Sequence, residues 1–255
     1  MLDREKILSA AGGECGKIEV FDTIDSTSSY LKELAREGAP EHTAVVAASQ
    51  SGGRGRMGRS FFSPEGTGIY LSLLFRPKGD AASVGMMTAA AAVGVCRALE
   101  SLGSPELGIK WVNDLYLNGK KVCGILAESV FDSSRGGFEG VVIGVGVNLF
   151  EPRGGFPSEI ENIAGSVFGN CRRGLAEAAA GGIIRELISV MREGDFLSCY
   201  RRRQILIGRS ALLLRGGTSE RIEVLGLEDD CSLRVRHEDG REERVLSGEV
   251  SLKIL

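Results

Sequence analysis

The chain has 255 residues, 43% apolar and 25% charged, with a formal net charge of −3 at pH 7. That balance excludes a disordered, collagen-like or coiled-coil chain, and a slightly acidic chain has no global field to gather nucleic acid. The longest nearly apolar stretch, Met86 to Cys96, spans 11 residues, well short of the roughly 20 that cross a bilayer. The N-terminal MLDREKILSAAGGE carries charges where a secretory leader needs an apolar core, so no membrane partner and a cytoplasmic location are expected. Six cysteines lie scattered without a C-x-x-C pair, and His42 and His237 are the only histidines. Neither a zinc site nor a Ser-His-Asp mechanism is expected, and the thiols read as small reduced hydrophobes.

Residues 17–22 alternate as a strand does, and Asp25-Ser26-Thr27 opens a helical pattern from Ser28 to Glu37 that stops at Gly38. Residues 43–49 read as a strand buried on both faces. A long Gly- and Pro-rich loop follows, then a strand over 69–75. An Ala-rich helix is expected from Val84 to Leu102, ended by Gly103. Residues 107–112, 115–118 and 121–128 read as strand, turn and strand, with Asn118-Gly119 a hairpin signal. A further strand over 140–149 ends in glycines, and helices are expected over 177–192 and 196–207. Beyond Gly208 the runs SALLLR, ERIEVLG, SLRVRH, REERVL and EVSLKI alternate between turn residues, the pattern of a small barrel. Two domains are therefore expected, 1–207 and 208–255.

The densest chemical signal is Gln50 to Ser60. Gly53, Gly55 and Gly58 satisfy G-x-G-x-x-G, and Gly53 to Ser60 nearly satisfies the P-loop pattern with Arg59 in the lysine position. Both motifs seat phosphate on the N-terminus of the following helix. Pro64, Gly66 and Gly68 leave no room for one, so neither motif operates. What remains is a glycine loop that lets backbone N–H groups approach an anion, with Arg54, Arg56 and Arg59 as permanent cations suited to phosphate or carboxylate. A solvated surface loop and an RNA-binding tract are the alternatives; the position between two strands of a folded domain disfavours the second. Mutual repulsion of three cations predicts that the loop over 51–60 is poorly ordered without an anion. Lys110 and Lys121 stand in otherwise apolar strands, where an ammonium is costly unless an anion meets it or the stem snorkels. The only tryptophan, Trp111, stands beside Asn113-Asp114 at a strand end.

Taken together, Asp25-Ser26-Thr27-Ser28, Gln50 with Gly53-Arg54-Gly55-Arg56-x-Gly58-Arg59, Ser63-Pro64-x-Gly66, Leu71-Ser72, Lys110-Trp111-x-Asn113-Asp114, Lys121-x-x-Gly124-Ile125-Leu126-x-Glu128 and Gly144-x-Gly146-x-Asn148 resemble, in order and spacing, a biotin protein ligase of the type without an N-terminal DNA-binding domain. The resemblance implies an α+β fold, a mixed sheet flanked by helices with a small C-terminal SH3-like barrel. It implies an enzyme that joins biotin and ATP to biotinoyl-5′-AMP, with Mg2+ accompanying the nucleotide, and then passes biotin to a lysine of a biotin carboxyl carrier domain. Lys121, Arg54 and Asp114 are implied in catalysis. Ser26, Thr27, Ser28, Gln50, Gly53, Arg54, Gly55, Arg56, Lys121 and Gly124 are implied at biotin, and Arg56, Arg59, Phe61, Lys110, Trp111, Asn113 and Asn148 at ATP. Many relatives have Trp where Phe61 stands. No metal-ligand set is implied, no DNA operator is expected, and monomer and homodimer are both left open. Related readings are a lipoate or octanoate ligase and a non-catalytic biotin sensor.

Overall fold

Apolar runs with period 2 and helices with one apolar stripe have one economical arrangement, a sheet covered by helices. The computed structural model describes residues 2–77, 84–132, 137–246 and 250–254; Glu249 of the last expected strand lies outside them. In chain order the first unit holds α1 (Arg4–Ala11), β1 (Lys17–Ile24), α2 (Thr27–Arg36), β2 (Thr43–Gln50), β3 (Gly68–Phe75), α3 (Val84–Ser101), β4 (Gly108–Lys110), β5 (Asp114–Leu117), β6 (Lys120–Asp132), β7 (Gly137–Asn148), α4 (Leu175–Glu193) and α5 (Leu197–Arg202). Its seven strands form one sheet in the order β1-β2-β3-β7-β6-β5-β4. Only β1 and β2 pair in parallel, joined by α2; the other neighbours are antiparallel.

The two faces are covered unequally. α3 and α4 bury one face, with Ala91, Val95, Ile183 and Leu187 against Leu71, Ile125, Ile143 and Val145. The shorter α2 covers part of the other, packing Leu31 and Ala35 on Val45, Leu74, Val130 and Val142. β3 is buried along its whole length, as a central strand between two helical layers must be. The uncovered part of the α2 face is where a ligand has access to the sheet.

Most expected elements are present, with four physical corrections, the first being that residues 115–118, expected as a turn, lie largely in strand β5, which pairs with both β4 and β6. The N-terminal helix α1 was not expected. Asp3 caps it by accepting from the Glu5 and Lys6 N–H groups, and Ile7 and Ala11 bury it against α4, where a Cβ on Gly181 would lie 2.5 Å from Ala10. The helix expected over 196–207 ends at Arg202, because Ile109 of β4 takes the next backbone groups: its N–H donates to Arg203 and its carbonyl accepts from Ile205, at 2.7 and 3.0 Å. The strand expected over 107–112 ends at Lys110, where the chain turns and the Trp111–Val112 peptide bond is cis. The Asn118-Gly119 turn has φ of 50° and 78°, the left-handed pair a tight hairpin requires.

The second unit comprises β8 (Ser210–Arg215), β9 (Thr218–Leu227), β10 (Leu233–His237), β11 (Glu242–Val245) and β12 (Val250–Ile254), antiparallel in the order β11-β10-β9-β8-β12. Ala211, Leu213, Ile222, Val224, Leu233, Val235 and Val245 form its inner face. The sheet fits the SH3-like unit that the resemblance implies. It is clasped to the first unit by a buried hydrogen bond, Trp111 Nε1 donating to the Cys231 carbonyl at 2.8 Å. Nearby, Tyr200 Oη donates to the Val112 carbonyl at 2.9 Å, and Arg203 makes a forked pair with Glu100 at 2.6 and 2.9 Å. No described helix is long and apolar enough to cross a membrane.

Trp111→Phe keeps an aromatic ring but loses part of the indole's volume and leaves the Cys231 carbonyl without its donor. We expect a loss of about 1–3 kcal/mol, read as a lower urea midpoint by circular dichroism; an unchanged midpoint would show that the clasp contributes nothing.

Candidate functional site

The uncovered patch is framed by the N-terminus of α2, the loop between β2 and β3, and the β5–β6–β7 end of the sheet. Ser26 caps α2, its Oγ accepting from the Ser29 N–H at 3.3 Å. Thr27 donates to Gln50 Oε1 from both its backbone N–H (2.9 Å) and its hydroxyl (3.1 Å). The Ser72 hydroxyl lies 2.9 Å from those of both Thr27 and Ser28. Gln50 Nε2 donates to Ser63 Oγ at 3.3 Å, and Ser63 donates to the Phe61 carbonyl at 2.9 Å. Ser26, Thr27, Ser28, Ser63 and Ser72 are all buried, so this is a fixed polar wall rather than a solvated face. Gly53 belongs to it sterically: a Cβ there would lie 2.6 Å from both the Phe61 carbonyl and Ser63 Oγ.

The floor is made of missing side chains. A Cβ on Gly144 would lie 2.5 Å from Ser28 Oγ, and one on Gly146 2.7 Å from the Phe61 ring. At Gly124 it would meet Phe61 at 3.2 Å and Lys121 Nζ at 3.3 Å. Phe61 therefore lies on bare backbone of β6 and β7, with Lys121 Nζ 6.0 Å from its ring centre and Tyr70 edge-on at 6.3 Å.

Lys121 and Gly124 are three residues apart and in a regular strand would face opposite sides. The ladder slips here: Leu115 pairs with Cys123 and Tyr116 with Lys121. This bulge puts one extra residue into β6 and re-aims Lys121 to the glycine face. Its ammonium pairs with Asp114 at 2.7 Å. The backbone of Lys121 is held from the other side, its N–H donating to Ile163 and its carbonyl accepting from Gly165, at 2.7 and 2.9 Å.

Further cations converge on Asp114. Burial holds the Arg56 guanidinium below its ordinary pKa, opposed by Asp114 and reinforced by Arg59. Burial likewise lowers Lys110, again opposed by Asp114, with Lys121 and Arg59 adding to the depression. Burial, then Asp114, pushes the Tyr116 hydroxyl up to about 12, and Lys110 Nζ lies 5.7 Å from that ring. Asp114 is thus ion-paired with Lys121 and opposes the effect of burial on Arg56 and Lys110, and the excess of positive charge suits a polyanion. Arg56 Nη1 donates to Asn113 Oδ1 at 3.4 Å, while Asn113 Nδ2 donates to the Ile125 carbonyl at 2.8 Å.

The arginine loop has a frame of its own. Gly55 N–H donates to Arg59 at 2.7 Å and Phe61 N–H to Gly53 at 2.9 Å, making a small hairpin with a single 3-10 turn, Arg56–Gly58, at its tip. No helix follows, in agreement with rejecting both phosphate-loop motifs. Arg54 and Arg59 are exposed on this hairpin and Arg56 is half-buried. Two further expected ligand residues are buried and hydrogen-bonded within the protein. Trp111 is buried in the core with its N–H on Cys231, so it joins the two units rather than lining the open patch. Asn148 is buried and its Nδ2 donates to the Gly165 carbonyl at 3.0 Å. Ser63 and Ser72 carry the polar wall yet had no assigned role; the signal available was a lone serine inside the apolar run IYLSLLF.

Residues 20–148 match the model of the biotin/lipoate A/B protein ligase family. The chain belongs to that family. It is 40% identical over 146 residues to the bifunctional ligase/repressor BirA of Bacillus subtilis, covering 57% of this chain and 44% of that one. It is 40% identical over 127 residues to the biotin–[acetyl-CoA-carboxylase] ligase of Paracoccus denitrificans, covering 49% and 51%. The matches thus span about half the length of these curated relatives. Among solved structures, the biotin protein ligase from Aquifex aeolicus in complex with biotin and ATP superposes with a TM-score of 0.77 at 27% identity, covering 94% of this chain and 99% of that one.

Gly144→Ala places a methyl 2.5 Å from Ser28 Oγ. Because α2 is fixed by its own core, we expect about 1–3 kcal/mol of destabilisation from overpacking, measured by urea unfolding, and none at the solvent-facing control Gly217→Ser beyond the strain of its positive φ, 81°. Equal stability of Gly144→Ala and the parent would contradict the close packing of α2 on the floor.

Proposed function

We propose that the protein is an ATP-dependent biotin protein ligase. It forms biotinoyl-5′-AMP from biotin and ATP and transfers the biotinoyl group to a lysine of a biotin carboxyl carrier domain. The observation that carries this reading is the Lys121–Asp114 pair at 2.7 Å, with Arg56 bonded to the adjacent Asn113 at 3.4 Å, at the end of a glycine floor whose other wall is hydroxyl and amide. One end suits a ring with polar edges, the other a carboxylate meeting a triphosphate. The likeness to a ligase solved with biotin and ATP supports the same pairing.

In this reading Ser26, Thr27 and Gln50 hydrogen-bond the ureido ring, with Ser72 and Ser63 fixing their rotamers, and the acyl chain lies over Gly124 and Gly146. Phe61, seated there now, shifts to stack on the base. Lys121 holds the biotin carboxylate against the α-phosphate. A carboxylate oxygen attacks the α-phosphorus, the bond to the β-phosphate oxygen breaks, and pyrophosphate leaves. Arg56, Arg59 and Lys110 neutralise the charge that repels the two anions and that builds on the phosphates. In the second step the carrier lysine, deprotonated, attacks the acyl carbon and AMP leaves; Asp114 is the carboxylate placed to accept that proton. Among the described residues no group of three His, Cys, Asp or Glu could hold a metal. With Asp114 paired to Lys121, a magnesium ion would arrive on the nucleotide phosphates and would supply charge neutralisation there. A lipoate or octanoate substrate offers no polar ring edge to the Thr27–Gln50 wall.

Incubation with a carrier domain, biotin and Mg-ATP should raise the carrier's mass by one biotinoyl group, with no shift when ATP is omitted; a lipoyl shift or none would refute the assignment. The two central cations should separate by role. Lys121 sits on a strand and needs no reorganisation, so Lys121→Ala should slow single-turnover adenylate formation by about 100-fold or more. Arg56 sits on the hairpin, so Arg56→Ala should mainly speed adenylate release in a chase with unlabelled ligand. Parent-rate adenylation by Lys121→Ala, or parent-rate release by Arg56→Ala, would reverse these assignments.

A further inference from the structure

Two lysines, Lys110 and Lys121, stand beside one carboxylate. The β4–β5 ladder sets Lys110 directly opposite Asp114 and Gly108 opposite Tyr116. Asp114 is ion-paired with Lys121, whose Nζ lies 2.7 Å away. The half-buried ammonium of Lys110 needs a further partner of its own. Tyr116 stands two residues on from Asp114, on the same face of β5. It is diagonal to Lys110 across the ladder, a spacing that a long stem and an aromatic ring can bridge. Lys110 Nζ lies 5.7 Å from the ring centre, within the distance at which a ring face attracts a cation. The stem cannot fold back along β4 instead, because Ile205 fills the space over Gly108: a Cβ there would lie 2.5 Å from its Cγ2. Burial, and after it Asp114, pushes the Tyr116 hydroxyl up to about 12. In neutral solution the ring therefore stays protonated and offers its π face, not a phenolate charge.

We infer that Tyr116 is a positioning residue for Lys110, its ring face holding the ammonium over β5 beside Asp114. The role belongs to the ring and not to the hydroxyl. With the ring in place, Lys110 does not have to compete with Lys121 for the carboxylate, and the two cations stand at separate points of the site. Without it, the Lys110 stem is free to carry its ammonium into water or onto Asp114 at the expense of Lys121. Tyr116 itself meets no substrate. The consequence falls on the polyanion that Lys110 neutralises, the nucleotide phosphates, and so rests on the functional reading above.

The test has a ligand-free arm and a binding arm. In the first, the lysines are reductively methylated with 13C, which keeps their charge, and the Lys110 resonance is assigned by its loss in Lys110→Arg. In the parent it should lie upfield of the resonances of exposed lysines, displaced by the ring current. Tyr116→Phe should keep that displacement and Tyr116→Leu should lose it. In the second arm, Tyr116→Leu should weaken a non-hydrolysable ATP analogue about fivefold in saturating biotin, the size of one partly desolvated cation–π contact. Biotin affinity in Tyr116→Leu, and both affinities in Tyr116→Phe, should stay within about twofold of the parent, because the ring acts only through Lys110. In a Lys110→Ala background Tyr116→Leu should weaken the analogue no further, because coupled residues are not additive. An undisplaced Lys110 resonance in the parent, equal losses in Tyr116→Phe and Tyr116→Leu, or full additivity with Lys110→Ala would each overturn the inference. So would parent affinity for the analogue in Tyr116→Leu where Lys110→Ala weakens it. The expected resonances in a parent that binds neither biotin nor the analogue would support the ring contact and overturn the functional reading instead.

Discussion

The site depends on a register slip. In an unbroken β6, Lys121 and Gly124 would point to opposite faces, and the ammonium would be buried under α3 and α4. The bulge opposite Leu115 and Tyr116 brings the cation onto the glycine face, 2.7 Å from Asp114. Everything else is arranged around that point. The floor is bare so that a flat group can reach the ammonium. The α2 cap and its hydroxyls close the far end, and the arginine hairpin carries Arg56 over the near end. Each half-buried cation is costly alone, and the carboxylate of Asp114, paired with Lys121, lowers that cost without cancelling the positive field.

The same residues tie chemistry to stability. The turn between β4 and β5 supplies Asn113 to Arg56 and Asp114 to Lys121, and in its first residues supplies Trp111 to Cys231 and Val112 to Tyr200. Four consecutive residues thus face the ligand patch, α5 and the second unit. Disturbing the clasp shifts the turn, and with it the two polar groups that meet the cations. The C-terminal sheet is in this sense part of the site's foundation even though its strands hold none of the residues placed at the patch.

Much of this was legible in the sequence because the signals are local. The α2 cap, the Asn118-Gly119 hairpin, the alternating C-terminal runs and the glycine-arginine loop follow from composition and spacing, and the combined motifs pointed to the family. What was not legible is tertiary. α5 stops early because Ile109, far away in sequence, captures its next backbone groups. Trp111 sits among motif residues, yet the fold buries its ring with the N–H on Cys231, and no spacing records that. Ser72 looked like one polar residue in an apolar strand until Thr27 and Ser28 were brought within 2.9 Å of it. The bulge at Lys121 leaves no trace in the residue types of KVCGILAE. The arginine loop, read from charge alone as a segment that repels itself, has hairpin hydrogen bonds that charge counting does not reveal.

The central claim is that this patch joins a carboxylate with a polar ring to the α-phosphate of ATP. The most direct measurement is isotope exchange between labelled pyrophosphate and ATP, which requires only the first step and no acceptor. The account predicts exchange that depends on biotin and is not supported by lipoate or octanoate, because only biotin offers hydrogen bonds to the Thr27–Gln50 wall. Exchange driven equally by octanoate, or no exchange with biotin at any concentration, would contradict it.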